Sequence, residues 1–197
     1  MSARPVVLLD VMDTIVWDPY RLIPGFFGTD DWRVLFEARD RSAWLEFERG
    51  EIDEAAFLDR FFHDGRDFDR DGLRRLMFDN YRWLDGMEEL LGKLRDCGAE
   101  VHALSNYPDW YEAIEARLEL SRYLEWTFVS CLTGVRKPDP EAFLGAARRL
   151  GREPGELIFV DDRQKNVDGA TAAGLQGVLF VGAEALEAEL RARGAFG

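Results

Sequence analysis

Four short stretches carry side chains whose types could do chemistry together. They are Asp10-Val11-Met12-Asp13-Thr14, Ser105-Asn106, Lys137 within Arg136-Lys137-Pro138-Asp139-Pro140, and Asp161-Asp162 with Asn166 just behind. Carboxylates gathered from two places in a chain make an all-oxygen site suited to Mg²⁺. A hydroxyl, a lysine and backbone amides can hold a phosphate. A carboxylate that attacks phosphorus and carries the phosphoryl group is an established mode of covalent catalysis. Each piece alone is ordinary, since Asp is a favoured turn residue and Lys-Pro is usually loop. Their order, and their places behind apolar runs, make them a set.

Those runs are the elements that must position the set. Val6-Val7-Leu8-Leu9 reads as a strand buried on both faces, with Asp10 where it ends. A second strand over residues 100–104 ends at Ser105-Asn106. A third covers 126–129, a fourth covers 157–160 and runs into Asp161-Asp162, and a fifth covers 178–181. Helical patterns over 87–97, 109–118, 139–150, 166–173 and 183–193 separate them. Regular alternation predicts an α/β fold: a Rossmann-like parallel sheet with helices on both faces. Ligands of such sheets bind at the carboxyl ends of the strands.

Residues 15–84 break the alternation. Aromatic residues crowd in and β-branched runs vanish. Trp32, Leu35, Phe36 and Arg39 recur at helical spacing behind Asp30, a cap residue for that helix, and Gly50 is a helix stop. Asp53 opens the next helix, and Asp71 or Gly72 another. The segment therefore reads as an all-helical insertion of three or four helices that sits over the carboxyl edge of the sheet as a lid. Most of its rings are its own core. Trp17, Tyr20, Phe26 and Phe27, just past the first motif, and Tyr107 and Trp110, just past the second, are placed to overhang the site and stack on a flat ring.

The 197 residues fit one domain, or one domain with an insertion, and at 47% hydrophobic they supply a core. A net charge of −13 argues against nucleic acid or an anionic membrane as a partner. It leaves room for a small anionic metabolite held in a locally positive site. No apolar run approaches the ~20 residues of a membrane span. Only five residues precede the first strand, too few for a signal peptide, and Cys97 and Cys131 are the only cysteines. A reduced, cytoplasmic setting is expected. Oligomeric state is left open.

The motifs resemble those of the haloacid dehalogenase-like (HAD) hydrolase superfamily with a helical cap inserted after the first motif. Its phosphatases carry Asp-x-Asp-Gly-Thr where this chain has Asp10 to Thr14, a Ser or Thr matching Ser105, a Lys before Pro matching Lys137, and an acidic pair with a following Asn matching Asp161, Asp162 and Asn166. The resemblance implies a core of residues 1–14 and 85–197 and a cap of 15–84. Within the superfamily, the Asp10 to Thr14 stretch, Gly65-Arg66-Asp67-Phe68, Asn106-Tyr107-Pro108 with Trp110-Tyr111, and Val160-Asp161-Asp162-Arg163 are similar to the plant chloroplast FMN hydrolase group and its bacterial relatives. The resemblance implies a Mg²⁺-dependent phosphatase acting on a small phosphomonoester, with FMN favoured. Asp10 would attack phosphorus. Asp10, the Met12 carbonyl and Asp162 or Asp161 would hold the metal. Ser105, Asn106, Lys137 and the Met12-Asp13 segment would hold the phosphate. Trp17, Tyr20, Phe27 and Tyr107 would set specificity.

One position departs from the pattern. Family phosphatases carry an Asp at the place of Met12, where it protonates the leaving alkoxide and then activates water. A thioether does neither, and such acid–base help is typically worth ~10²–10⁴-fold. Three ways out are open: Asp13 substitutes, the substrate or solvent supplies the proton, or the leaving group needs none. The last revives a metal-independent 2-haloacid dehalogenase, although dehalogenases lack the acidic pair that Asp161 and Asp162 provide. A weakly active or non-catalytic relative that binds a phosphorylated ligand is the remaining alternative.

Overall fold

The computed structural model describes residues 4–196. Five strands, β1 (Val6–Leu9), β2 (Val101–Ser105), β3 (Glu125–Val129), β4 (Leu157–Asp161) and β5 (Gln176–Leu179), form one sheet in the order β3-β2-β1-β4-β5. Every pairing is parallel. β1 lies at the centre, and its four apolar residues are fully buried. Side chains alternate across a strand. Val7 and Leu9 thus pack with Leu90, Leu94, Leu186 and Leu190 on one face. Val6 and Leu8 pack with Phe143, Ala146, Ala147 and Ala170 on the other.

The strand order sets the place of the site. The chain moves outward from β1 through β2 to β3, then crosses back to lay β4 on the other side of β1. A crevice opens at the carboxyl edge where the direction of winding reverses, here between β1 and β4. The register is one-to-one from Val6 opposite Leu157 to Leu9 opposite Val160. The Asp10 amide then donates to the Val160 carbonyl at 2.9 Å. Asp10 and Asp161 therefore emerge side by side, with Ser105 at the end of β2 on the other flank.

Between β1 and β2 the chain is helical, as expected, with helices Trp32–Ala38, Arg41–Glu48, Glu54–Asp59 and Arg70–Phe78. Asp31, Asp40, Asp53 and Asp69 cap them, each carboxylate accepting a backbone N–H of the first turn. A cap of this kind is worth ~1 kcal/mol, so part of the acidic excess is structural. The caps correct two sequence expectations. Asp31 rather than Asp30, and Asp69 rather than Asp71 or Gly72, reaches the free amides. β5 also begins two residues early and ends at Leu179, leaving Val181 exposed.

The insertion has its own aromatic core, in which Phe47 and Phe57 stack at 4.9 Å. It is tied to the sheet by polar contacts. Trp110 Nε1 donates to Glu54 Oε1 at 2.7 Å, Arg136 pairs with Glu48, and the Ser130 hydroxyl donates to the Glu48 carbonyl. Among the described residues no helix is long and apolar enough to cross a membrane. Both cysteines are free thiols.

Candidate active site

A lysine holds the two strand ends together. Lys137 Nζ lies 2.8 Å from Asp10 Oδ1 and 2.7 Å from Asp161 Oδ2, and the side chain is almost wholly buried. Its backbone is clasped by Asn106, whose Nδ2 donates to the Lys137 carbonyl at 2.9 Å and whose Oδ1 accepts the Lys137 amide at 2.8 Å. Both polar ends of the Asn106 side chain are thus spent on positioning the lysine. Asp161 is equally committed. Its carboxylate accepts the Arg163 amide at 2.8 Å, Asn166 Nδ2 at 3.0 Å on each oxygen, and the lysine.

Asp10 and Asp162 are less tied down. Asp10 Oδ1 accepts the Val11 amide at 2.8 Å as well as the lysine. Among the described residues, Asp10 Oδ2 and both carboxylate oxygens of Asp162 have no hydrogen bond. One oxygen from each of Asp10, Asp161 and Asp162 falls within 4.8 Å of the others. Burial pushes the Asp10 carboxyl up against the opposing pull of Lys137. Burial and the neighbouring Asp10 and Asp161 charges raise Asp162 to about 6. Three clustered carboxylates, only two of them paired with the Lys137 ammonium, make a donor set that a hard divalent cation would relieve.

Asp10, Met12, Asn106, Tyr107, Lys137 and Asn166 line one cavity of about 430 Å³, roofed by Tyr20, Phe36, Arg39, Trp44 and Glu48 of the insertion. That volume falls in the ~300–1,000 Å³ range of small-molecule sites. Arg39, Arg41 and Arg163 also face it and have no carboxylate partner among the described residues, so an anionic ligand would meet unpaired guanidinium groups in an otherwise acidic protein. Arg39 is buried, donates to the Tyr20 hydroxyl and lies 4.3 Å from the Phe61 ring centroid. Among the described residues, the hydroxyls Ser105 Oγ and Thr14 Oγ1 are buried with no hydrogen-bond partner. An orphaned donor of this kind awaits an acceptor, and Ser105 stands next to the cavity residue Asn106.

Of the residues singled out to overhang the site or replace the missing acid, five do not line the cavity: Asp13, Trp17, Phe26, Phe27 and Trp110. Phe26 packs edge-on against Phe27, and Trp110 is buried among Phe47, Phe57 and Phe78. Trp17 packs under the Arg82 guanidinium, 3.7 Å from its ring centroid. Phe27 is enclosed by Phe26, Phe61, Phe62 and Phe68. Asp13 has a φ of 54°, the left-handed conformation that Asp tolerates better than most residues. Its carboxylate is turned to Arg21 Nη2 at 2.5 Å and to the Asp18 amide at 3.2 Å. Of the four specificity candidates, Tyr20 and Tyr107 do line the cavity. The residues that sequence reasoning missed include Asp18, Phe36, Arg39, Arg41, Trp44, Glu48 and Arg163. Their cue was helical spacing, which gave several of them a face but not the direction of that face.

Carboxylates and a lysine converging at the switch point of a parallel sheet, beneath a helical insertion, define an α/β enzyme of the hydrolase type. The chain belongs to the haloacid dehalogenase-like hydrolase family, whose model matches residues 10–174. It is 49% identical to flavin mononucleotide hydrolase 1 of Arabidopsis thaliana over 94% of this chain and 76% of that protein. It is 34% identical to a sesquiterpene phosphatase of Aspergillus oryzae over 53% of this chain and 54% of that one. A HAD family enzyme of Bacteroides thetaiotaomicron, crystallised with magnesium and inorganic phosphate, has the same fold. Its TM-score is 0.71 at 21% identity, covering 90% of this chain and 94% of that one.

Proposed function

We propose that the chain is a Mg²⁺-dependent phosphomonoesterase that hydrolyses FMN through a phosphorylated Asp10. The observation that carries this reading is the Lys137 ammonium between Asp10 and Asp161 beside an aromatic-walled cavity that Arg39, Arg41 and Arg163 face. Asp10 Oδ2, free of hydrogen bonds among the described residues, is the attacking oxygen, and its partner oxygen is held by Lys137 and the Val11 amide. Lys137 and the Ser105 hydroxyl take phosphate oxygens, and Asn106 holds the lysine in place. The work is positioning and charge neutralisation.

The metal would be held by Asp10, Asp162 and the Met12 carbonyl. Asp162 is the direct carboxylate ligand because its oxygens are unengaged, whereas those of Asp161 are already filled. When bound, the cation neutralises charge on the transferring phosphoryl group. The acidic pair, with Asp162 free to take a cation and Asp161 bound to Lys137, also disfavours a metal-independent dehalogenase.

FMN is supported by the 49% identity to a flavin mononucleotide hydrolase and by the lining. Phe36, Trp44, Tyr20 and Tyr107 offer faces and edges for a fused ring, and Arg39 offers a cation to its carbonyl end. Phe36 is 42% exposed, unusual for so large an apolar side chain at a cavity mouth. Action on a small metabolite in the cytoplasm, without nucleic acid or membrane partners, is part of the same proposal.

The metal and the ring pocket can be tested separately. Phosphate release from FMN should require Mg²⁺ and stop with EDTA, and Mg²⁺ should raise the melting temperature by binding the native state alone. Asp162→Asn should remove that thermal shift. EDTA-insensitive turnover would dismiss the metal role. Phe36→Ala should raise KM for FMN about tenfold, corresponding to ~1.4 kcal/mol of ring contact. It should leave KM for 4-nitrophenyl phosphate within about twofold, whereas an equal rise for both would remove Phe36 from ring recognition.

A further inference from the structure

The cavity contains a carboxyl group that the family pattern does not provide for. Family phosphatases use an Asp at the place of Met12 as acid and base, and Met12 here lines the cavity with a thioether. Asp13, the nearest replacement in sequence, is pinned to Arg21 outside the cavity. Asp18 lines the cavity together with Asp10, Met12 and Lys137. A bridge pairs Met12 with Val16 and so returns the chain beside Met12 just before Asp18.

The carboxyl of Asp18 is oriented by its surroundings. Oδ1 accepts the Tyr20 amide at 2.9 Å, capping the turn Pro19–Leu22, and the Asp18 amide donates to Asp13 Oδ1 at 3.2 Å. Oδ2 has no hydrogen bond among the described residues. One oxygen fixes the group and the other is left to receive or give a proton. We propose that Asp18 is the general acid and base of this reaction, in the role that Met12 leaves empty. The proposal rests on the phosphatase reading.

The charged and titratable groups around Asp18 suit that role. Burial, with the nearby Asp13 charge, raises its carboxyl to about 6, against the pull of Arg21 and Arg163. From the packed elements, the hydroxyls of Tyr81 and Tyr107 also face its charge, and they bond each other at 2.9 Å. A pKa near the operating pH is what a group that must both give and take a proton needs. In the first step Asp10 Oδ2 bonds to phosphorus, the ester P–O bond breaks, and Asp18 gives its proton to the departing alkoxide. In the second, water adds to phosphorus and loses a proton to the Asp18 carboxylate. The Asp10–phosphorus bond then breaks, releasing inorganic phosphate and the Asp10 carboxylate.

The test compares wild type with Asp18→Asn, whose side-chain oxygen keeps the Tyr20 cap, on FMN and on 4-nitrophenyl phosphate. FMN has an alkyl leaving group that needs a proton, and nitrophenolate departs without one. The variant should lose ~10²–10³-fold in kcat/KM on FMN and under about tenfold on the aryl ester. It should also release a burst of nitrophenolate as phosphorylated enzyme accumulates. Wild-type kcat/KM on FMN should fall as pH rises through about 6, because only the protonated acid serves the first step, and this limb should vanish in the variant. Met12→Asp added to Asp18→Asn should restore at least about tenfold of the lost rate. Near-wild-type kcat/KM of the variant on FMN, or equal losses on both esters with the pH limb intact, overturns Asp18 as acid and base. A wild-type enzyme that hydrolyses neither ester overturns the phosphatase reading itself, a result separable from the first two.

Discussion

Asp10→Asn is expected to lower kcat on FMN by on the order of 10⁴-fold or more, without unfolding the protein, because loss of a covalent nucleophile is rarely compensated. The substitution is isosteric. An asparagine oxygen still accepts the Val11 amide, and Lys137 keeps Asp161 at 2.7 Å. What is lost is the carboxylate charge, and with it the nucleophilic oxygen, the ion pair with Lys137 and part of the metal-binding charge. Position 10 is almost fully enclosed at the end of a strand with four buried residues, so no other carboxylate can slide into its place. The two neighbours that could be asked to, Asp161 and Asp162, lie across the crevice and belong to the lysine and metal arrangement. The check is steady-state turnover beside a melting curve, with mass spectrometry of acid-quenched wild type to find the phosphorylated peptide containing Asp10. Turnover within about tenfold of wild type would show that phosphorus is attacked by something else, such as water. Lys137 and Ser105 would then hold the phosphate for a direct displacement, with no covalent intermediate.

The core was legible in the sequence because its signals are local. A run such as Val6 to Leu9 leaves a strand no exposed face, so its burial and the polar residue at its end follow from composition. Strand ends bearing Asp10, Ser105 and Asp161 then converge because parallel crossovers of one hand put carboxyl ends on one edge. The insertion was legible only as helices. Its rings share one periodicity whether they face each other, as Phe47 and Phe57 do, or face the cavity, as Phe36 and Trp44 do. That choice depends on how helices pack across tens of residues. Asp18 was hidden for another reason. An Asp before Pro reads as a cap, which it is, and the cap uses only one of its oxygens. Asp13 misled by adjacency to Met12. The left-handed backbone at residue 13, visible only in three dimensions, turns its carboxylate toward Arg21.

The buried lysine carries the second large expectation. Lys137→Met should destabilise the metal-free protein by about 3–5 kcal/mol, the usual effect of stripping one partner from a buried ionic cluster. For a chain of this size that is a fall in melting temperature of roughly 6–20 °C. Methionine keeps the apolar stem near Phe159, whose ring centroid is 5.2 Å from Nζ, so the loss is one of charge rather than of packing. Asp10 and Asp161 would then repel across the crevice with only Asn166 and backbone amides to steady them. Asp10, which burial already pushes up and which would lose the opposing pull of Lys137, takes up a proton more readily when folded than when unfolded. The folded state binds the extra proton, so the variant should gain stability as pH falls and lose it as pH rises. Mg²⁺ enters the same carboxylate cluster, and it should recover more stability in Lys137→Met than in wild type. Catalysis should not recover with it, because the phosphate has lost its ammonium. A kcat deficit of ~10²–10³-fold, the range for one preorganised charge donor, should persist at saturating Mg²⁺. A variant as stable as wild type in EDTA would mean that the two carboxylates are not held by Lys137. The pairing at 2.8 and 2.7 Å would then be a consequence of the loop position that Asn106 sets, and not the reason for it.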